Sequence, residues 1–398
     1  MGGALEGLLV VDLSRILAGP YCTQMLGDHG AEVVKVEPPE GDGTREWAES
    51  YGDGVSAYYA GLNRNKRHVT VDLSTAAGRT LVLRMLENAD VLVENFKTGT
   101  MERWGIGAET LLARFPRLVY CRISAFGADG PMGGLPGYDA VIQAYSGIMH
   151  MNGEPGSRPL RIPMPITDLT TGMLAFSGVL LALQERTRSG RGQLVDLSLL
   201  DGALSLLHPA AANYFRTGER PERLGSAHPN IAPCDTFTSP MGEIYVAAGT
   251  DRQFAILCEY LGAPEVARDE RFRTNAARLA HRAELTAILA DLVARMEYDA
   301  DAARTMIAKG IPASLVRPLD EVLGDPEVHR RRMVQTVDGR RVLGIPVKLG
   351  RTPGTIRTPP RPAGADTRDV LARFGLAARE IERLIADGVV TQHRPSRG

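Results

Sequence analysis

The sequence predicts an α/β fold: a parallel sheet covered by helices on both faces, joined to a second, smaller α+β domain. Short, almost continuously apolar runs recur through the first half of the chain, stretches of helical period lie between them, and prolines gather after about Thr217. Strands covered on both faces have no wet side, so they read as unbroken apolar runs without polar alternation.

Residues 8–13 (LLVVDL) are the first run, followed by a small-residue loop over 14–20 and a helical stretch over 21–27. Strand, loop, helix is the opening of a βαβ unit. Residues 31–37 predict the second strand, stopped by Pro38 and Pro39 and a loop running to Arg45. Further strands are expected over 69–73, 91–96 and 118–124, with a helix over 78–88. In such sheets ligands sit beyond the carboxyl ends of the strands, which singles out the loops 15–20, 37–45, 95–103 and 125–139. The first of these carries no GxGxxG, which removes most of the case for a nicotinamide dehydrogenase. The stretch 127–139 is dense in glycine and proline. It reads equally as a long surface turn and as backbone able to approach a ligand closely.

Asp168 stands just before an apolar, helix-period run over 173–183. Two readings are open there. An aspartate at a helix start is ordinarily an N-cap; partly desolvated in a dry pocket, it can instead attack an activated acyl group. The helix ends at Gly190 with Arg188 in its last turn, a strand follows over 193–198, and 199–214 predicts one long apolar helix. After Thr217 come a strand over 242–249 and helices over 253–261, 282–296 and 300–309. The expected domains are therefore 1–216 and 217–325, with 326–398 returning across the first domain or onto a partner subunit. That last segment is proline-rich from Pro346 to Pro362 but keeps buriable runs and a final helix near 368–387.

At 398 residues the chain exceeds what one core usually organises. Lys+Arg 46 against Asp+Glu 47 gives a net charge of -1, which argues against nucleic-acid or membrane-surface binding. No apolar run reaches the roughly 20 residues of a membrane span. The four cysteines are widely spaced, without ligand spacing for a metal, and read as reduced thiols. With no signal-like start, a cytoplasmic location is expected.

Together, VDLSRILAGPY (11–21), GAEVVKVE (30–37), NRNKR (63–67), DVLVENF (90–96), PGYD (136–139) and the stretch 187–193 are similar to the family III CoA-transferases. That group includes formyl-CoA transferase, carnitine CoA-transferase, the succinyl-CoA/glutarate-type enzymes and, as a divergent branch, alpha-methylacyl-CoA racemase. The resemblance covers essentially the whole chain and is nearest to the succinyl-CoA:glutarate-type members. It implies a Rossmann-like large domain made from both chain ends, a small domain between them, and an interlocked homodimer. It also implies that Asp168 is the nucleophile, passing through an aspartyl anhydride and an aspartyl-CoA thioester. CoA and acyl-CoA enter as substrates, with no tightly bound cofactor and no metal.

By the same resemblance Leu17 and Ala18 contact CoA through their backbone, and Asp72, Leu73 and Ser74 line the adenine side. Asn95, Phe96, Lys97 and Arg103 bind the nucleotide and phosphates, while Gly137, Tyr138 and Asp139 border the thioester. Pro38 stands where the formyl-CoA branch has an arginine, and Arg45 is the expected substitute. Tyr138 replaces the racemase histidine; a phenol with a pKa near 10 exchanges protons poorly at neutral pH. Acyl transfer is thus favoured over isomerisation, or over a non-catalytic CoA-binding module. Arg158 and Arg161, with His228 in a stretch similar to the glutarate-type members, suggest a dicarboxylic acceptor.

Overall fold

Six parallel strands carry the main sheet: β1 (Leu9–Asp12), β2 (Glu32–Glu37), β3 (Lys66–Thr70), β4 (Val91–Glu94), β5 (Val119–Ser124) and β6 (Leu194–Ser198). They lie in the order β3-β2-β1-β4-β5-β6 in a computed structural model that describes residues 2–393. Val10, Val11, Val33, Val34, Leu92 and Tyr120 are buried, as the apolar runs require. The order reverses at β1, which pairs with β2 on one side and β4 on the other. The chain therefore leaves β1 and β4 in opposite directions, and a crevice opens at their carboxyl ends.

The third strand lies three residues earlier than the apolar pattern 69–73 predicts. Lys66 and His68 are fully buried within it because Asp12 and Tyr59 partner them. Charged residues thus occupy positions that sequence alone assigns to a loop.

The helices among these strands are α1 (Ala18–Asp28), α2 (Ala57–Ala60), α3 (Ala76–Leu86), α4 (Thr100–Arg103), α5 (Ala108–Arg114), α6 (Asp139–Tyr145), α7 (Ile148–Met151), α8 (Ile166–Ser189) and α9 (Leu199–Ser205). The expected single helix over 199–214 is two: α9, then α10 (Ala210–Thr217). Pro209 separates them, since it lacks an N–H and disfavours helical geometry in the residue before it. Helix α8, which leads into β6, ends on the left-handed Gly190, whose N–H returns to the Arg186 carbonyl. By length and composition it is the one described helix that matches a membrane span. Yet Gly172, Ala175, Val179, Ala182 and Leu183 are buried on its inner face, and Arg186 pairs with Asp90 at 2.8 Å.

The chain forms two compact units. One comprises the residues up to Ser146, Ile162–Leu207 and those from Pro326 onward; the other comprises Gly147–Arg161 and His208–Asp325. The second holds an antiparallel sheet of β7 (Cys234–Ser239), β8 (Gly242–Ala247) and β9 (Ala313–Leu315). Around it stand α11 (Asp251–Tyr260), α12 (Asn275–Ala280), α13 (Arg282–Ala294), α14 (Ala302–Ala308) and α15 (Leu319–Gly324). Phe237, Ile244, Phe254, Leu257, Leu285 and Leu289 fill the core between them.

In the first unit the C-terminal segment adds α16 (Pro326–Arg330), the hairpin β10 (Val334–Val337) and β11 (Arg340–Leu343), then α17 (Thr367–Arg373) and α18 (Ala378–Ala386). The expected helix over 368–387 breaks at Gly375, which has φ +78°. Val370, Leu371, Ile381 and Leu384 share a core with Val69, Leu81 and Met85. The Asn65 side chain accepts the Arg357 N–H at 2.7 Å, and Asp366 accepts the His68 N–H at 2.9 Å, fastening the segment along β3.

Candidate active site at the carboxyl end of the sheet

Where β1 and β4 part, Asn95 ties the two departing loops together. Its Oδ1 accepts the Arg15 N–H at 2.7 Å, and its Nδ2 donates to the Arg15 carbonyl at 2.8 Å. A layer of buried charge supports the β1 loop from below. Lys35 donates to the Ser14 carbonyl at 2.8 Å and pairs with Asp42 at 3.4 Å, while Asp42 accepts the Ile16 N–H at 3.2 Å. Ile16 needs that support, because its φ of 68° is left-handed and strained for a β-branched residue. Burial alone would raise the Asp12 carboxyl. Lys66 and Lys35, with hydrogen bonds from Ser14 and Thr23, hold it at about 2. Burial in turn lowers Lys66 to about 8, against the pull of Asp12.

Two hollows flank this loop. The first, about 370 Å³, is lined by Leu17, Ala18, Asn95, Phe96, Lys97, Gly137, Tyr138 and Asp168 among others. The second, about 300 Å³, is lined by Asp72, Leu73, Ser74 and Pro38, with Phe96 again on its border. The sheet topology thus gathers most of the residues singled out in the sequence, although they lie on separate loops.

Of those expected to bind CoA, two stand elsewhere. Arg103 lines neither hollow and donates to Thr100 Oγ1 at 2.9 Å. Asp139 lines neither as well; it is buried, and its Oδ1 accepts both the N–H and the hydroxyl of Thr167 at 2.8 Å. Its other oxygen accepts from Gln143 Nε2 at 2.7 Å. The N-cap position of α8 is Pro165, which has no capping side chain, so Asp139 supplies the acceptor from outside the helix. Asp139 therefore stands behind the first turn of α8 and not on the wall of either hollow.

The capping reading of Asp168 is corrected by the same geometry. Asp168 is the third residue of α8, inside its first turn. Its carboxylate has no hydrogen-bond or ion-pair partner among the described residues, and it borders the first hollow. Burial, and then the charge of Asp139, raise its pKa to about 7. One turn later Gly172 lets α8 approach α1, since a Cβ there would lie 2.7 Å from the Ala18 carbonyl oxygen.

Arg45 is not the free cation expected in place of an arginine at position 38. Its guanidinium grips Glu37 at 2.6 and 2.7 Å, donates to the carbonyls of Gly54 and Arg361, and lies over the Tyr59 ring. Two residues outside the expected CoA-binding set bear on the site, Arg15 by lining it and Tyr58 by standing near its charges. Arg15 borders both hollows. Burial, followed by the charges of Asp168, Asp139 and Asp42, pushes Tyr58 up to about 12, and its ring meets Trp47 edge-on at 5.2 Å. Nothing in the sequence of the one-turn helix α2, which holds Tyr58, announces this, whereas Arg15 could have been noticed from its place in the β1 loop. Arg158, Arg161 and His228 belong to the second unit.

Residues 5–367 match the family model described as CoA-transferase family III. The chain is 37% identical to succinate–glutarate CoA-transferase of Agrobacterium fabrum, over 93% of this chain and 95% of that protein. It is 36% identical to succinyl-CoA–D-citramalate CoA-transferase of Chloroflexus aurantiacus, over 97% and 98%. Among solved structures, a CAIB/BAIF family protein from Brucella suis superposes with a TM-score of 0.84 at 39% identity, covering 94% of this chain and 100% of that one.

Proposed function

The chain belongs to CoA-transferase family III, and from that premise we propose that it moves CoA from succinyl-CoA or a similar donor to a dicarboxylic acid through Asp168. The observation that carries this reading is the unpaired Asp168 carboxylate at the first hollow, raised to about 7 by burial and by Asp139. A desolvated carboxylate that no cation neutralises is a better nucleophile than one in water.

A carboxylate oxygen of Asp168 attacks the thioester carbonyl, the C–S bond breaks, and CoA thiolate leaves an aspartyl–acyl anhydride. The thiolate then attacks the aspartyl carbonyl of that anhydride. The donor acid departs as its carboxylate, leaving an aspartyl-CoA thioester. The acceptor carboxylate attacks this thioester and expels the thiolate. Attack of the thiolate on the acyl side of the second anhydride releases the new acyl-CoA and restores Asp168. Each tetrahedral intermediate needs fixed donors, and the first-turn N–H groups of α1, which starts at Ala18, are the candidates.

In this reading the arm of CoA lies in the first hollow against the backbone of Leu17 and Ala18, with Lys97 adding positive charge. The adenosine half lies in the second, beside Asp72, Leu73 and Ser74. Gly137 and Tyr138 border the reacting end. Arg103, outside both hollows, is a phosphate partner by the family resemblance alone. The acceptors named for the two relatives, glutarate and D-citramalate, both carry two carboxylates, which supports a dicarboxylic acceptor here. All four cysteines are buried free thiols, in keeping with a reducing compartment such as the cytoplasm. Two copies interlock; the apolar residues Met173, Leu174 and Leu181 on the exposed side of α8 support a second copy as cover.

Intact-mass analysis after adding succinyl-CoA, with hydroxylamine to trap the activated ester, tests the nucleophile. The wild type is expected to gain mass on the peptide holding Asp168. Asp168→Ala is expected to gain none and to lose transfer, while CoA affinity changes only a few-fold. A label on another residue, or transfer by Asp168→Ala, overturns the assignment.

A further inference from the structure

The two hollows meet at one cation. Arg15 borders both, and its guanidinium carbon lies 4.9 Å from the centre of the Phe96 ring, which also borders both. Its backbone is fixed at N–H and carbonyl by Asn95. Its side chain, in contrast, donates to no acceptor and pairs with no carboxylate among the described residues. Burial pulls its pKa down, and the charges of Asp42, Glu40 and Glu37 only partly offset this. An arginine remains charged at neutral pH all the same.

The neighbouring cations are spent. Lys35 is held by Ser14 and Asp42, Lys66 by Asp12, and Arg45 by Glu37. Arg15 is thus half-buried, with its donors unused by the protein and open to an anion that enters from solvent.

We infer that Arg15 grips the diphosphate of CoA at the join between the two hollows. This rests on the CoA-transfer reading above. The hollow that holds Asp168 must take the thioester end, which leaves the other for the adenosine. The diphosphate links those two halves of the molecule, so the side chain bordering both spaces faces the link. A planar guanidinium suits two phosphate oxygens at once, and its place over the Phe96 ring helps hold it at the join. Pro38 in the second hollow offers no charge, and Lys97 lines only the first.

The test compares wild type, Arg15→Gln and Arg15→Lys by calorimetric binding and steady-state kinetics, with CoA and with dephospho-CoA, which lacks the 3′-phosphate. Arg15→Gln is expected to weaken CoA binding and raise the KM for acyl-CoA by about ten- to a hundredfold. The KM for the acceptor acid should stay unchanged, Arg15→Lys should fall between, and the loss should be the same with dephospho-CoA. Because the side chain makes no hydrogen bond within the protein, both variants are expected to melt close to the wild type; if Arg15→Gln does not fold, Arg15→Lys carries the comparison.

Three outcomes overturn the inference: unchanged CoA affinity, a loss that disappears with dephospho-CoA, or a rise confined to the KM of the acid. The first leaves Arg15 idle, the second moves it to the 3′-phosphate, and the third to a substrate carboxylate. A wild type that binds no CoA defeats the transfer reading itself.

Discussion

Asp168 is a carboxylate placed where water solvates it poorly and where no cation among the described residues pairs with it. With a pKa of about 7 it is divided between acid and carboxylate near neutral pH, and only the carboxylate attacks. The single-turnover rate of the first half-reaction is therefore expected to climb with pH and level off above about 7. A rate that is flat across that range contradicts the role. The same group weakens the fold. Its ordinary value is 3.8, so between that pH and about 7 the native state keeps a proton that the unfolded chain has released. Stability thus falls as pH rises through this window and stays low above it. Asp168→Asn cannot ionise and is expected to exceed the wild type by on the order of 1–3 kcal/mol at a pH above the window, with no gain below it. Denaturant melts at the two ends of the window measure this. The position of Asp168 was legible because an apolar helix follows it at once. What raises its pKa and what fixes the loop beside it were not, since Asp139 reaches α8 across 28 residues and Asn95 reaches Arg15 across 80. Local pattern holds no record of contacts that distant.

Among the elements, the close approach of α8 and α1 does most to set the site. Asp168 and Gly172 lie one turn apart on the same face of α8, so whatever moves Gly172 off α1 moves the carboxylate too. A Cβ at Gly172 would lie 2.7 Å from the Ala18 carbonyl oxygen and 3.2 Å from the Tyr21 ring. Alanine ordinarily improves a helix by about 1 kcal/mol over glycine. Here it has to displace a backbone oxygen, and misplacing a reacting group by a fraction of an ångström to an ångström costs about ten- to a hundredfold in rate. Gly172→Ala is accordingly expected to lose kcat by that factor while remaining folded. Unaltered kcat indicates that the packing of the helices does not position Asp168. The strands were the most legible elements, because β1, β2, β4, β5 and β6 coincide with apolar runs. Strand β3 was misplaced where buried Lys66 and His68 imitate a loop. The helices expected over 199–214 and 368–387 were drawn too long across Pro209 and Gly375, where apolar periodicity continues past a residue that stops the helix.

For the whole molecule, the proposed interlock has a kinetic consequence that ordinary dimers lack. Two folded chains threaded through one another cannot part by simple dissociation; one of them must first open. Exchange of subunits is then limited by unfolding, which for stable domains spans seconds to days, and dilution alone does not yield monomers. The exposed side of α8 gives the interface a place to start, since Leu181 is 72% exposed and Met173 45%, an unusual display for a helix whose other face packs in the core. Mixing tagged and untagged protein and following native mass is the direct measurement. The species is expected at twice the 43.0 kDa of one chain, with no mixed dimer over hours in buffer and a statistical mixture after joint denaturation and refolding. Prompt formation of mixed dimers means two copies that merely touch, and a 43.0 kDa species means no pairing. Either result leaves the proposed Asp168 chemistry standing, because Asp168 and the other residues lining the two hollows lie within one unit of a single chain.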